Sequence, residues 1–318
     1  MSHTMSTETR MVVLMSTFNG ESFIGAQLES ILRQLPANAK INIRDDGSTD
    51  RTISIIEALG DSRIVLTRGV NIGFGASFMT LIEQADPDAD LILLSDQDDV
   101  WFPDKLARAS AALQNLTDQP ALYCTAQKLV DSELNPLNDT QPWPRPPAFE
   151  NALVENIVTG CTAALNQKAL RLLKDRISPM AIHFHDWWMY LVISAFGQII
   201  YDPIPSLMYR QHGGNVIGHG AGWLGRQVQM IRFLLKHDWA AILLRQVVLL
   251  RLNYADLLSP PQRHLIDRHF SIKDERARLR FRMLLGSSLW RQKPIHELPL
   301  RMLLVAHQIR ARLHRSKG

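Results

Sequence analysis

Short apolar runs alternate with longer stretches in which apolar residues recur every three or four positions. Met11-Val12-Val13-Leu14-Met15, Ile41–Arg44, Arg63–Thr67, Leu91–Leu94 and Ala121–Ala126 are runs of strand length. Between them lie helical patterns. Phe23, Ile24, Leu28, Ile31, Leu32 and Leu35 share a face until Pro36 ends it, and Ile53, Ile56 and Leu59 form a shorter repeat. Ala76–Ala85, Leu106–Leu116 and Lys168–Lys174 read as further helices, while the proline-rich Asp131–Pro147 reads as a long loop. Strands alternating with helices predict an α/β fold with a mostly parallel sheet flanked by helices. Residues 221–318 read as helices without a strand pattern.

The stretch Leu91-Ile92-Leu93-Leu94-Ser95-Asp96-Gln97-Asp98-Asp99-Val100-Trp101 organises the rest. A strand buried on both faces stops at three carboxylates within four residues. In open α/β sheets, ligands bind beyond the carboxyl ends of the strands. Three acids there repel one another unless a cation completes them. Mg²⁺ or Mn²⁺ holding a phosphate needs this kind of oxygen site. In an extended chain Asp96 and Asp98 face one side and Asp99 the other. An EF-hand beginning at Asp96 would need glycine where Trp101 stands and glutamate where Ala107 stands. A Walker B strand would need a partner G-x-x-x-x-G-K-[ST], which the chain lacks, and Phe78 stands where a dinucleotide fingerprint starting at Gly73 would need its third glycine.

Charge divides the chain. Residues 1–220 carry 16 Lys and Arg against 25 Asp and Glu, a net of −9, and residues 221–318 carry 19 against 6, a net of +13. The expectation is an acidic catalytic domain over 1–220 and a basic helical appendage over 221–318. Two cysteines, Cys124 and Cys161, make neither a zinc framework nor a disulfide scaffold, and no apolar run approaches the length of a membrane span.

Thr17-Phe18-Asn19-Gly20, Asp45-Asp46-Gly47-Ser48-Thr49-Asp50, Asn71-x-Gly73 and Asp96-Gln97-Asp98-Asp99-Val100-Trp101, followed by Pro103 and Lys105-Leu106, occur in this order. As a set they resemble family 2 glycosyltransferases of GT-A fold, and the last form resembles the rhamnosyltransferase-like branch. Ser16 and Phe18 stand where members often carry alanine or proline and tyrosine. The resemblance implies that Thr17, Asn19, Asp45, Asp46, Asn71 and Gly73 line the nucleotide-sugar site. It implies a divalent cation, Mg²⁺ or Mn²⁺, on Asp96 and Asp98, with Asp96 also close to the donor.

The resemblance places a general base at Asp186 within Ile182-His183-Phe184-His185-Asp186-Trp187-Trp188, with Trp187 and Trp188 as a sugar-binding platform for the acceptor. A carboxylate there takes the proton of a sugar hydroxyl, which is a poor nucleophile near neutral pH. A His183-x-His185 metal pair is the competing reading, and a helix N-cap is the plain role for Asp186. Arg210 or His212 would neutralise the departing diphosphate. The implied partners are a nucleotide-diphospho-sugar donor and a glycan or lipid-linked acceptor, with no nucleic acid. The basic region would make a peripheral membrane contact through its cations and Trp223, Trp239 and Trp290, placing the protein in the cytoplasm at the inner face of a bacterial plasma membrane. The rivals are a non-catalytic nucleotide- or glycan-binding protein of the same fold and a nucleic-acid binder using the basic tail. The second lacks a recognised module.

Overall fold

The structure is a computed structural model that describes residues 9–211, 239–270, 288–294 and 297. Four strands build its first half: β1 (Met11–Thr17), β2 (Lys40–Asp45), β3 (Ile64–Arg68) and β4 (Leu91–Ser95). Helices α1 (Ile24–Leu32), α2 (Thr52–Ala58) and α3 (Phe74–Gln84) connect them. The expected boundaries are reproduced to within a few residues. After the two-residue strand β5 (Val100–Trp101) come α4 (Lys105–Leu113), β6 (Ala121–Thr125), β7 (Lys128–Val130), β8 (Pro136–Asp139) and the short helix α5 (Phe149–Ala152). Then follow β9 (Ala164–Asn166), α6 (Gln167–Leu173), α7 (His185–Phe196), β10 (Gln198–Asp202) and β11 (Leu207–Arg210).

The main sheet runs β10-β6-β9-β4-β1-β2-β3, and all neighbours are parallel except those of β9, which pairs antiparallel with both β4 and β6. The order turns back at β1, flanked by β2 on one side and β4 on the other, which opens a crevice at their carboxyl ends. Side-chain alternation explains the uninterrupted apolar runs. Val12, Leu14, Ile92 and Leu94 face one core layer, while Val13, Met15, Leu91 and Leu93 face the other.

A second sheet, β5-β11-β7-β8, brings β11 antiparallel against β5 and so carries Arg210 to the acidic turn. The stretch expected as one loop over Asp131–Pro147 holds β8, an edge strand exposed at every position. Its composition hid it, because this strand is exposed on both faces and so shows no apolar alternation.

Helices α8 (Trp239–Asn253) and α9 (Pro260–Phe270) lie in the region expected as an appendage. Leu243, Val247, Leu250 and Tyr254 are buried in the core layer that holds α7, as is Ile266 of α9. The segment 288–292 is anchored through Glu155. That carboxylate accepts from Arg291 Nε and Nη2 at 3.2 and 3.1 Å and from the Gln292 N–H at 2.6 Å. Trp239 is buried and stacks on Trp187 with ring centroids 5.2 Å apart, and the Arg145 guanidinium covers Trp290 at 3.7 Å. Trp239 is therefore a core residue and not a headgroup anchor. Trp223 lies outside the described residues. Among the described residues no helix is long and apolar enough to cross a membrane.

Candidate active site

Five loops meet at the crevice, and the first two carboxylates in it are closed in on themselves. Asp45 ends β2 and accepts from Thr17 Oγ1 at 2.9 Å, the N–H groups of Gly47 and Ser48 at 3.1 and 2.8 Å, and Ser48 Oγ at 2.5 Å. Asp46 pairs with Arg44 and accepts from the N–H groups of Ile72 and Gly73 at 3.0 and 2.9 Å. The two residues are 1% and 2% exposed. Their carboxylates hold loop against loop. In this structure they shape the expected nucleotide pocket through the backbone of Gly47–Ser48 and Ile72–Gly73. Asn19, at φ 47°, donates its N–H to Ser48 Oγ and accepts the Thr49 N–H on its side chain, both at 2.9 Å. Asn71 Oδ1 accepts the Gly73 N–H at 3.2 Å.

Three side chains that hold the loops of the site were given no role in the sequence. Gln97 reads the Phe18 backbone on both sides: its Oε1 accepts the N–H at 2.8 Å and its Nε2 donates to the carbonyl at 3.0 Å. A Cβ on Gly20 would lie 2.3 Å from that amide oxygen, which explains the glycine. Gln27 Nε2, on α1, donates to Ser95 Oγ and to the Asp96 carbonyl at 2.6 and 3.1 Å. Lys105 is buried, donates to the Cys161 carbonyl at 2.5 Å and lies 4.5 Å from the Trp101 ring. Lys105 stood within a quoted motif, but nothing in its spacing signalled burial.

The acidic turn differs from the extended geometry expected of it. β4 ends at Ser95, so alternation fails over the next four residues, and Asp99 folds back toward Asp96. Ligand atoms of Asp96, Asp99 and Cys161 lie within 4.8 Å of one another. Asp99 is fully buried. Its Oδ1 accepts the Arg210 N–H at 3.2 Å, and its Oδ2 has no partner. Arg210 Nε donates to the Asp98 carbonyl at 2.7 Å, and its guanidinium lies over Phe23 at 4.7 Å. Burial, then the charges of Asp98 and Asp186, push the Asp96 carboxyl up to about 7, and burial also drives Asp99 well above the usual carboxylate range. Lys105 is pulled down to about 8, burial outweighing its acidic neighbours. Two cations beside the turn thus leave it short of positive charge. An unpartnered buried carboxylate oxygen within a mainly oxygen donor set fits a hard divalent cation.

Asp186 sits in the first turn of α7 and accepts the Trp187 N–H at 2.7 Å. Phe184, not Asp186, is the N-cap residue. Burial raises the Asp186 carboxyl to about 6, against the N–H of Trp187 and the side chain of Asn156. Its charge reaches Asp96. The structure therefore brings the expected base and the acidic turn to one place.

Two expectations at α7 are corrected. Trp187 and Trp188 are 3% and 0% exposed, with Trp187 Nε1 donating to the Ala152 carbonyl at 2.8 Å. Neither ring offers a face to a sugar, because the helix is covered by α8 on that side. His183 and His185 do not form a metal pair. The helix begins at His185, so the two side chains part: His183 is exposed, while His185 is buried, stacked on Phe78 at 4.1 Å. A Cβ on Gly160 would come 2.5 Å from His185 Nε2, and burial keeps the ring neutral with a value near 3. His212 lies outside the described residues.

The family model described as Glycosyl transferase family 2 matches residues 12–173. A dTDP-rhamnosyl transferase of Shigella flexneri, RfbG, is 32% identical over 223 residues, covering 64% of this chain and 73% of its own. An Escherichia coli UDP-Glc:alpha-D-GlcNAc-diphosphoundecaprenol beta-1,3-glucosyltransferase, WfgD, is 26% identical over 57% of this chain and 68% of its own. The crystal structure of S. aureus TarS residues 1–349 with UDP-GlcNAc superposes with a TM-score of 0.59 at 17% identity, covering 93% of this chain and 82% of that one, and shares the GT-A fold. With its sheet order, its acidic turn at the end of β4 and this match, the chain is an enzyme that belongs to glycosyl transferase family 2.

Proposed function

We propose that the protein moves a sugar from a nucleotide-diphospho-sugar onto a hydroxyl of a glycan or lipid-linked acceptor, with inversion at the anomeric carbon, in the making of a cell-surface polysaccharide. The observation that carries this reading is the convergence of Asp186 on the charge-deficient acidic turn. Asp96, Asp98 and Asp99 would hold a divalent cation, Mg²⁺ or Mn²⁺, which when bound supplies positive charge against the donor's diphosphate. Asp186 accepts the proton of the attacking hydroxyl, and its raised pKa keeps it near the working pH, where a base is most effective. Gly73 and Ile72, held by Asp46, bring main chain close to the donor. Arg210, fixed against Asp98 and Asp99, adds a positive group on the leaving-group side.

Rhamnose as the sugar is supported by the likeness to RfbG, and a lipid-linked acceptor by the likeness to WfgD. The test is a screen of dTDP-, UDP- and GDP-sugars for cation-dependent release of nucleoside diphosphate. Release that is unchanged in EDTA defeats the cation assignment, and no release from any donor with any acceptor defeats the transferase reading. We further place the chain at the inner face of the plasma membrane through the net +13 of residues 221–318. The full chain should float with anionic but not neutral vesicles and detach as salt rises. Indifference to anionic vesicles at low salt removes this part of the reading.

A further inference from the structure

With Trp187 and Trp188 in the core, the surface beside Asp186 must hold an acceptor by other means. The first turn of α3 supplies one. Phe74 opens that helix directly after Gly73, whose N–H is tied to Asp46, and the residue is 36% exposed. It lies 6.0 Å from the Phe184 ring, and Phe184 in turn meets His183 edge-on at 4.5 Å. His183 is exposed, and three residues later stands Asp186. The contact between the two segments is tight. A Cβ on Gly75 would fall 2.2 Å from the His183 carbonyl oxygen, so only glycine lets α3 seat against this strip of chain. The short turn Pro179–Ala181 packs on α3 as well and carries Met180, which is largely exposed. Phe74 is fixed from below by an edge-on contact with the buried His185 at 6.0 Å.

We propose that Phe74 and His183, backed by the buried Phe184, form a shelf that takes the apolar face of the acceptor's sugar ring and presents its hydroxyl to Asp186. A pyranose has one face of C–H groups and a rim of hydroxyls. An exposed phenyl ring buries the first, and an imidazole edge offers a hydrogen bond to the second. Phe74 follows directly on residues 71–73, the loop assigned to the donor, and His183 stands three residues before the base, so the shelf adjoins both. An acceptor must occupy that position to attack. The occupant is thus a sugar ring, not an acyl chain, and the shelf decides acceptor binding without touching the donor. This rests on the transferase reading for its purpose, but not for its test.

The test is saturation-transfer NMR on the full chain, irradiating aromatic protons, with methyl N-acetyl-β-D-glucosaminide and methyl α-L-rhamnoside titrated separately. Transfer is expected to at least one glycoside and should be unaffected by added UDP or dTDP. Phe74→Leu, which keeps apolar bulk in the fold, should weaken binding by about 3- to 10-fold, the worth of one aromatic contact, and Phe74→Tyr should restore it. Displacement by either nucleotide puts the sugar in the donor site and overturns the proposal. So does equal binding by the Leu variant, or no transfer to either glycoside in the unmodified protein. Absence of nucleoside diphosphate release in the donor screen would overturn the transferase reading alone and leave this binding result standing.

Discussion

Two acidic pairs lie within one crevice and behave in opposite ways. Asp45 and Asp46 are buried and satisfied. Between them they accept from Thr17, Gly47, Ser48, Ile72, Gly73 and the Arg44 guanidinium. Asp96 and Asp99 lie among other carboxylates, and burial first, then those neighbouring charges, raises their pKa values. Asp99 is as deeply buried as Asp45 and Asp46, so burial alone does not mark a reactive site. What separates them is whether the protein itself supplies the donors. The first pair is architecture that fixes loops around a ligand. The second is an electrostatic deficit of the kind that a bound cation would remove.

That contrast can be broken most directly at the second pair. Asp98→Asn should abolish turnover with Mg²⁺ or Mn²⁺ while the circular-dichroism spectrum and melting temperature stay near those of the unmodified protein. Retained turnover would mean that the turn is not the cation site. Asp186→Asn should lower the rate by about 10²–10⁴-fold with donor affinity preserved, the usual worth of a general base. The unmodified enzyme should also lose rate as pH falls below about 6, tenfold per unit, because only the ionised carboxylate accepts a proton. A flat profile between pH 5 and 8 would move the base elsewhere.

The next comparison concerns stability. Asp46→Asn leaves the Arg44 guanidinium buried without its counter-charge and should cost about 3–5 kcal/mol in urea unfolding. Asp99→Asn removes one of several crowded negative charges and should leave the unfolding midpoint unchanged or higher. Equal losses in the two variants would erase the distinction between scaffold and site. A smaller loss than that of Asp46→Asn is expected from Thr17→Val, which removes one of four donors to Asp45 and should cost about 1.5 kcal/mol, the low end for a hydrogen bond to a charged group. A neutral result there would show that the remaining three donors suffice.

Apart from the two-residue β5, the order of strands and helices through Thr125 was legible because each buried strand had to be apolar on both faces and each helix on one stripe. The acids from Asp96 to Asp99 were legible as chemistry because they follow a buried strand directly, while Asp45 and Asp186 were singled out by the family resemblance. Which acids serve the scaffold was not legible, since Thr17 reaches Asp45 from 28 residues away and the Ile72 and Gly73 N–H groups reach Asp46 from 26 and 27. Gln97 bonds Phe18 from 79 residues away, and Lys105 reaches Cys161 across 56.

The sequence by itself determined the α/β architecture, the crevice at the end of β4 and the identity of the acids there, because apolar periodicity and strand ends are local properties. Only the tertiary structure decided that Asp99 turns back to Asp96, that Trp187 and Trp188 are core residues, and that Trp239 leaves the expected appendage to stack on Trp187. Each of these depends on what covers a residue after folding. An aromatic side chain next to a catalytic acid carries the same letters whether its face meets a sugar or another helix.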